Sequence, residues 1–247
     1  MLHIIFFLSG EYRKTGANEL EVPKSLEILE CFDVKGCTDL NFHQDGRLFF
    51  ANGGVNFFQS SPAKLGSRID DGREKLYAVC PDDEDADLVF MIGNQHTMVY
   101  SLRNQTVLHK RQHIGTPPCS SVAVIAGKLF AIESLINTIT IFSKTGKKEL
   151  TMRLHGCKFP VAISKYDCNS LISSDLIGVG KFPVCEESRP EWITPIPYAW
   201  AVCVDDTGLI YASSAAYQTK GIFVLSSTGE IFISRKRQAR AVGSRAS

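Results

Sequence analysis

The segment Ala201-Val202-Cys203-Val204-Asp205-Asp206-Thr207-Gly208 is a short apolar run that ends in a turn, and two earlier segments have the same form. They are Asp39-Leu40-Asn41-Phe42-His43-Gln44-Asp45-Gly46 and Ser121-Val122-Ala123-Val124-Ile125-Ala126-Gly127. The final glycines of consecutive segments are 81 residues apart, which is two periods of about 40 residues. A repeat of this period predicts a fold built from successive copies of one small unit.

The intervening units fit the same period. Apolar runs at 76–80 and 160–164 each lead into a polar turn, and a second apolar run follows every turn, at 47–50, 88–91, 128–132, 170–172 and 209–212. A third run contains Phe58, Tyr100 and Phe142, each 42 residues from the next. Glycine turns at 144–147 and 227–230 lead into a fourth, more polar run. Four short antiparallel strands per unit are typical of a β-propeller blade.

The amino terminus predicts an additional, incomplete blade. Residues 5–11 resemble residues 222–230, and 23–30 are the expected fourth strand, whereas nothing after Ser234 alternates as an inner strand would. We therefore predict an all-β propeller with five full blades plus half of a sixth, so that either the ring closes imperfectly or the chain is a fragment. The predicted organisation is 1–36 for the outer half blade and its connection, 37–74, 75–115, 116–156, 157–196 and 197–234 for the blades, and 235–247 for a basic, disordered tail.

Composition supports a globular domain and excludes several other classes. The 247 residues are 44% hydrophobic and 21% charged, with a net charge of +1, which excludes a disordered or fibrous chain. No apolar stretch is long enough for a membrane-spanning helix, and residues 1–10 fit a strand better than a signal segment. The eight cysteines contain no CxxC pair, so we expect no metal site. Several lie in apolar runs, such as 77–80 and 201–204, where a reduced thiol acts as a small hydrophobe, so we expect a reducing, cytoplasmic location. We expect no cofactor. We expect a monomer unless the open sheet edge pairs.

The blade unit resembles the NHL repeat, the propeller blade best known in tripartite-motif proteins. Two segments carry the resemblance: 118–150, which includes Asn137-Thr138-Ile139-Thr140-Ile141-Phe142-Ser143-Lys144-Thr145-Gly146, and 201–233. The family commonly closes the second strand with aspartate, and this chain has Asn52, Glu133 or Ser213 there. The resemblance implies a propeller without catalytic residues that presents one face to protein or RNA.

The predicted strand order places the loops entering first strands, and the loops joining second and third strands, on one face of the ring. We call this the mouth face. A partner-binding set is expected there, although each residue could also be an ordinary loop residue: Asn52, Asn94, His96, Glu133, Asn137, Asp175, Tyr198, Trp200, Tyr217 and Gln218.

Charge is unevenly distributed along the chain. Residues 1–234 carry 22 basic and 26 acidic side chains, whereas 103–158 carry nine basic and two acidic. Seven of these cations could bind an anionic partner, or they could simply form the solvated outer edges of the blades. They are Lys110, Arg111, Lys144, Lys147, Lys148, Arg153 and Lys158. The acidic run at 82–87 is expected to be a solvated turn.

These features give two candidate functions. The first is a non-catalytic scaffold, with a protein partner favoured over RNA because the blades are net acidic. The alternative is a calcium-dependent hydrolase similar to gluconolactonases and paraoxonases, with Glu133, Asn137 and Asp175 as oxygen ligands. His96 is the lone candidate base, and the sequence contains no GxSxG, P-loop or HExxH motif.

Overall fold

The computed structural model describes residues 75–93, 95–112, 121–217 and 220–236, and shorter segments at 2–8, 12–13, 22–23, 27–34, 39–42, 48–51, 54–59, 64–65 and 69. Strands occupy most of this part of the chain, with a single 3₁₀ turn at Ser134–Ile136. None of the described segments is a helix long and apolar enough to cross a bilayer.

The fold is an all-β propeller with five full blades plus a half blade, as predicted. The half blade pairs β1 (Leu2–Leu8) with β4 (Glu27–Val34), and β2 (Tyr12–Arg13) pairs with β3 (Val22–Pro23) between them. The full blades are antiparallel sheets whose strands follow chain order. Blade I contains β5 (Asp39–Phe42), β6 (Leu48–Ala51), β7 (Val55–Gln59) and β8 (Lys64–Leu65); blade II contains β9 (Leu76–Pro81), β10 (Leu88–Gly93), β11 (His96–Ser101) and β12 (Thr106–Gln112).

The later blades repeat this arrangement with one variation. Blade III contains β13 (Val122–Ile125), β14 (Lys128–Glu133), β15 (Thr138–Phe142) and β16 (Lys148–Leu154). Blade IV contains β17 (Pro160–Lys165), β18 (Ser170–Asp175), β19 (Gly178–Pro183) and β21 (Trp192–Pro195); blade V contains β22 (Ala199–Val204), β23 (Ile210–Ser214), β24 (Gly221–Leu225) and β25 (Ile231–Lys236). A short strand from the blade IV segment, β20 (Glu187–Ser188), pairs in parallel with β16 and widens blade III to five strands. The predicted tail beyond Lys236 lies outside the described residues.

Glycines with positive φ lie in the turns of the blade hairpins, as the sequence predicted. Ala126 and Gly127 both have positive φ, 49° and 66°, as a two-residue turn between β13 and β14 requires. Gly146, Gly208 and Gly229 have φ between 73° and 83°. Gly46 lies outside the described residues.

The core lies between blades, because neighbouring sheets pack face to face. Between blades II and III, Phe90, Ile92 and Val99 pack against Val122 and Leu129. Between III and IV the cluster includes Phe130, Ile132, Ile163, Leu171 and Phe182, and further clusters join I to II and IV to V. First strands are therefore apolar on both sides, and all four residues of β13 are buried.

The acidic run joins three blades on the face opposite the mouth. Residues 83–86 are exposed, as expected of a solvated turn, whereas the first residue of the run is not. Asp82 is buried, and Lys144 of blade III lies 3.3 Å from it and 3.0 Å from Glu84. Asp83 accepts hydrogen bonds from the Gly127 N–H and from Lys165 of blade IV. Partial burial opposes ionisation of Asp83, but these hydrogen bonds outweigh it and lower the pKa of the carboxyl. The pairing also occupies Lys144, one of the predicted anion-binding cations.

Candidate functional site

The mouth face concentrates the exposed apolar side chains of the protein. Ten large hydrophobic residues are exposed in the described part of the chain, and three of them lie on the outer strands β12, β21 and β25. The other seven lie at the mouth face of blades III, IV and V, and we call them the apolar patch: Leu135, Ile136, Phe159, Ile177, Tyr198, Trp200 and Tyr217. Exposed apolar side chains on the same face of neighbouring blades offer apolar area that a ligand or partner can bury.

Tyr198 is held in an unusual backbone conformation within this patch. Its φ is 52°, a value that a bulky residue other than glycine adopts at an energetic cost. The Tyr198 N–H donates to the Leu176 carbonyl at 2.9 Å, and the Tyr198 carbonyl accepts from the Ala215 N–H at 3.0 Å. Two neighbouring loops therefore fix the residue in place while its side chain stays 54% exposed.

Glu133 is the buried carboxylate of the mouth face. It ends β14 and is 5% exposed, and its hydrogen-bond partner among the described residues is the Thr140 hydroxyl, which donates to Oε1. The alternation of β14 places Glu133 on the same side as Leu129 and Ala131, which pack against blade II. Glu133 thus lies at the mouth end of the interface between blades II and III.

Several buried oxygens at this end have no hydrogen-bond partner. They are Thr97 Oγ1 on β11, Thr138 Oγ1 on β15, and Asn137 Oδ1 in the turn that follows Glu133. Thr97 has the same orientation as Val99, toward blade III, and Thr138 stands opposite Glu133 in the β14–β15 pairing. Such buried oxygens are costly unless something satisfies them.

Asp175 occupies the equivalent position in blade IV, at the end of β18, but its oxygens are already used. It accepts hydrogen bonds from the Lys158, Ile177 and Gly178 N–H groups at 3.0, 2.7 and 2.8 Å. In blade V the Ser214 hydroxyl similarly donates to the Pro197 carbonyl at 2.6 Å. The end of the second strand therefore ties down the loop that enters the first strand, a structural role for Asp175.

Cys157 lies beside Asp175 and does not have the character of a nucleophile. Burial, and then the charge of Asp175, raise the pKa of its thiol to about 12. The thiolate needed for attack is scarce at neutral pH.

The predicted partner-binding set is distributed unevenly. Asn52, Asn94 and Gln218 lie outside the described residues. His96 begins β11 half-buried, whereas Glu133 and Asp175 lie beneath the surface. Tyr198, Trp200 and Tyr217 belong to the apolar patch together with Leu135, Ile136, Phe159 and Ile177, which sequence reasoning missed. The sequence contained one indication of this apolar surface, because residues 135 and 136 are two adjacent apolar residues within a loop.

The predicted cations do not form one site. Lys110 and Arg111 line an open cleft of about 570 Å³ with Leu108, His109, Gln112 and Thr145, on the outer rim. The Arg111 Nε–H donates to the Thr145 carbonyl at 3.0 Å. Lys147, Lys148 and Arg153 are exposed on the blade III turn and β16, and Lys158 is exposed at the mouth face.

Among the described residues, those suited to bind a divalent cation lie at the mouth end of blade III. In the described segments, no three His, Cys, Asp or Glu side chains gather as a metal site would require. Glu133 and the unpartnered Asn137 Oδ1 are oxygen donors of the type that Ca²⁺ and Mg²⁺ prefer, whereas Asp175 is occupied by backbone N–H groups.

Comparison with known proteins finds similarity in structure alone. No protein-family model matches the sequence, and no curated protein matches it. A catalytically inactive histidine-to-alanine variant of virginiamycin B lyase from Staphylococcus aureus with quinupristin aligns at TM-score 0.65 and 11% identity, covering 97% of this chain and 89% of that one. A Bacteroides caccae protein of unknown function aligns at TM-score 0.66 and 12% identity (93% and 91% covered), and a streptogramin B lyase at 0.63 and 14% (89% and 76%).

Identities this low show the fold alone. The β-propeller is supported, whereas the specific NHL assignment is not. The expectation of a non-catalytic scaffold that binds protein or RNA is wrong, because it depended on likeness to NHL propellers and the named neighbours are lyases.

Proposed function

We propose that the chain is an enzyme that opens an ester or lactone bond in a bulky, largely apolar substrate held at the mouth face. The observation that carries the proposal is the apolar patch, seven exposed side chains on one face of three consecutive blades. A surface of this kind binds a ligand by burying apolar area, which supplies about 25 cal/mol for each Å² removed from water. A structural neighbour crystallised with quinupristin offers a first substrate to try.

The polar end of the blade II–III interface is the proposed reaction centre. Among the described residues, Glu133 is the carboxylate at this end of the interface, and the Thr140 hydroxyl donates to its Oε1. Asn137 Oδ1 and Thr138 Oγ1 are buried and unpartnered beside it in sequence and in strand pairing. A divalent cation held by Glu133 and Asn137 would polarise the carbonyl of the scissile bond.

The chain's own residues orient the substrate. Tyr198 and Trp200 present their rings from the loop that enters blade V and from the start of β22, while Leu135 and Ile136 stand on the turn next to Glu133. The fixed backbone of Tyr198 limits the conformational entropy lost when a ligand packs against it. In blade III, the apolar residues that would bind the substrate are therefore next in sequence to the polar residues of the proposed reaction centre.

Turnover of quinupristin by the purified chain tests the proposal. The reaction is followed by mass spectrometry with Ca²⁺ or Mg²⁺ present and again after chelation. A hydrolase adds one water to the product mass, whereas a lyase opens the ring without a change in mass. We expect Glu133→Gln to lower kcat at least about 100-fold, because a neutral amide holds the cation less well and polarisation of the carbonyl by the cation is worth several kcal/mol. The exposed Glu186→Gln should leave kcat unchanged and serves as the control.

Three results would contradict the proposal. They are no turnover with either cation, turnover unaffected by Glu133→Gln, or unchanged KM after Tyr198→Ala and Trp200→Ala. Circular dichroism on each variant separates loss of activity from loss of fold.

A further inference from the structure

Two exposed cysteines of blade IV lie at the same end of its sheet, on the face opposite the mouth. Cys168 is in the turn between β17 and β18, and Cys185 lies two positions after the end of β19. Both residues are free thiols in the structure. Neither one belongs to the apolar patch or to the proposed reaction centre, so the chemistry they support is separate from the proposed function.

The pairing of β18 with β19 places the two cysteines opposite each other. The two strands are antiparallel, and β18 begins opposite the end of β19. One position beyond the strands, the Val184 N–H donates to the Asn169 carbonyl at 2.8 Å, so the pairing continues past the strand ends. The following position of the same register places Cys168 opposite Cys185.

The spacing expected at this position suits a disulfide bond. Asn169 and Val184 form a hydrogen-bonded pair, so the adjoining pair is of the non-hydrogen-bonded kind, whose Cα atoms are about 4.5 Å apart in a regular ladder. Disulfides join residues whose Cα atoms are about 4.4–6.8 Å apart. Val184 packs into the cluster between blades III and IV, so the alternation of the chain turns Cys185 to the other side of the sheet. Opposite positions of a ladder share one side, which brings Cys168 to that side as well.

The backbone on both sides of the cysteine pair is held by hydrogen bonds. In the turn, the Asn169 N–H donates to Asp167 Oδ1 at 2.7 Å. On the opposite segment, the Arg153 N–H of blade III donates to the Glu186 carbonyl at 2.7 Å. The two thiols are therefore presented from backbones that are already in place, and rotation about each Cα–Cβ bond brings the sulfur atoms together.

We propose that Cys168 and Cys185 form a site of reversible modification, at which a small-molecule disulfide such as oxidised glutathione converts the two thiols into an intrachain disulfide bond. Both thiols are exposed, so the small molecule reaches them without any opening of the blade. Exposed disulfides are also the ones that cellular thiols reduce most readily, which makes the modification reversible.

The modification consists of two thiol–disulfide exchanges, and they balance without any other reactant. The thiolate of one cysteine attacks a sulfur of oxidised glutathione, forms a mixed disulfide and releases one glutathione thiolate. The thiolate of the other cysteine then attacks the protein sulfur of that mixed disulfide and releases the second glutathione thiolate. Two protein thiols are oxidised and one oxidised glutathione is reduced to two molecules of glutathione, whose sulfurs take up the two protons that the cysteines lose.

The new bond joins the β17–β18 turn to the segment that carries β20. Since β20 pairs with β16, this segment already links blade IV to blade III. In the unfolded chain the same bond closes the loop 168–185 and lowers its conformational entropy. We therefore expect the oxidised protein to have a Tm about 6–12 °C higher than that of the reduced protein.

Mass spectrometry of the full chain tests the site. The reduced protein is incubated under native conditions with oxidised glutathione, its remaining thiols are alkylated, and the chain is cut after lysine and glutamate. Cys168 and Cys185 then lie in separate peptides, 166–181 and 182–186. We expect these two peptides to be recovered as one disulfide-linked species that separates when a reductant is added.

Two single variants test whether the thiols react with each other. In Cys168→Ser and in Cys185→Ser the second exchange has no attacking thiol. The remaining cysteine should therefore carry at least about ten times more bound glutathione than the same cysteine does in the original chain, where the neighbouring thiol removes it.

A third variant keeps two thiols but moves one of them by a single residue. Cys185→Ser combined with Glu186→Cys turns the thiol to the opposite side of the segment. Its cross-link to Cys168 should form at least about tenfold more slowly, because cysteines whose Cβ atoms point apart cannot be bridged without backbone movement. Glu186 is exposed, so the substitution removes no buried side chain, and circular dichroism checks the fold of each variant.

The proposal is overturned if the two peptides are not linked, or if the cysteines of the original chain retain as much glutathione as those of the single variants. Equal rates of cross-linking in the shifted variant would also overturn it, because the register would then play no part. A lower Tm after oxidation would overturn it as well, since the bond would then form only after the strands had separated.

Discussion

At the scale of single residues, Gly127 links backbone conformation to packing between blades. Its φ of 66° favours glycine, and a Cβ there would collide with the Lys144 side chain and lie 2.6 Å from Glu84 Oε2. These are the two side chains whose ion pair joins blades II and III on the opposite face. Gly208 has a φ of 82°, but a Cβ there would meet only the Tyr166 hydroxyl, at 3.6 Å.

This contrast predicts a difference between two alanine variants. Gly208→Ala carries backbone strain alone and should cost about 1 kcal/mol, whereas Gly127→Ala must also displace Lys144 and should cost about 2–3 kcal/mol. Since 1 kcal/mol corresponds to about 2–4 °C for a chain of this size, Tm measured by calorimetry should be distinctly lower for Gly127→Ala. Equal Tm values would show that Lys144 moves aside at no cost.

At the scale of elements, outer strand β21 of blade IV contacts the last turn of blade V through two side-chain hydrogen bonds, which we call the clasp. The Trp192 indole N–H donates to the Ser227 carbonyl at 3.0 Å, and the Thr194 hydroxyl donates to the Gly229 carbonyl. A Cβ at 229 would lie 2.7 Å from the Trp192 ring, so glycine lets ring and turn meet. The clasp therefore depends on the absence of a side chain at this position.

Tryptophan fluorescence can report the clasp directly. The chain has two tryptophans, and Trp200→Phe leaves Trp192 as the only emitter. In that background we expect Gly229→Ala to push the ring into water, shifting its emission to the red and raising acrylamide quenching about twofold, in proportion to the added exposure of the half-buried ring. Gly208→Ala is the control, since its φ of 82° nearly equals the 83° of Gly229. The same spectrum in both variants would contradict the clasp.

At the scale of the whole molecule, sequence periodicity was sufficient for the architecture and insufficient for the site. Strand positions follow from local patterns, such as the alternation around Phe142 and the turn at Gly146, so five blades were predictable. The parallel strand β20 has two residues, too few for any periodic signal. Interblade contacts such as Asp83 with Lys165 join residues 82 positions apart. No local pattern pairs these two side chains, and only folding brings them together.

The unequal burial of β13 and β22 predicts a gradient of stability along the chain, because each blade gains its stability from its neighbours. Blade III is covered on both faces, and its β13 is buried throughout, whereas β22 of blade V is exposed on one side. Local opening of β22 should therefore require less free energy than opening of β13. In hydrogen exchange by mass spectrometry we expect amides of 199–204 to exchange at least about tenfold faster than those of 122–125, a difference of about 1.4 kcal/mol. Equal protection would mean that blade V is stabilised as fully as blade III.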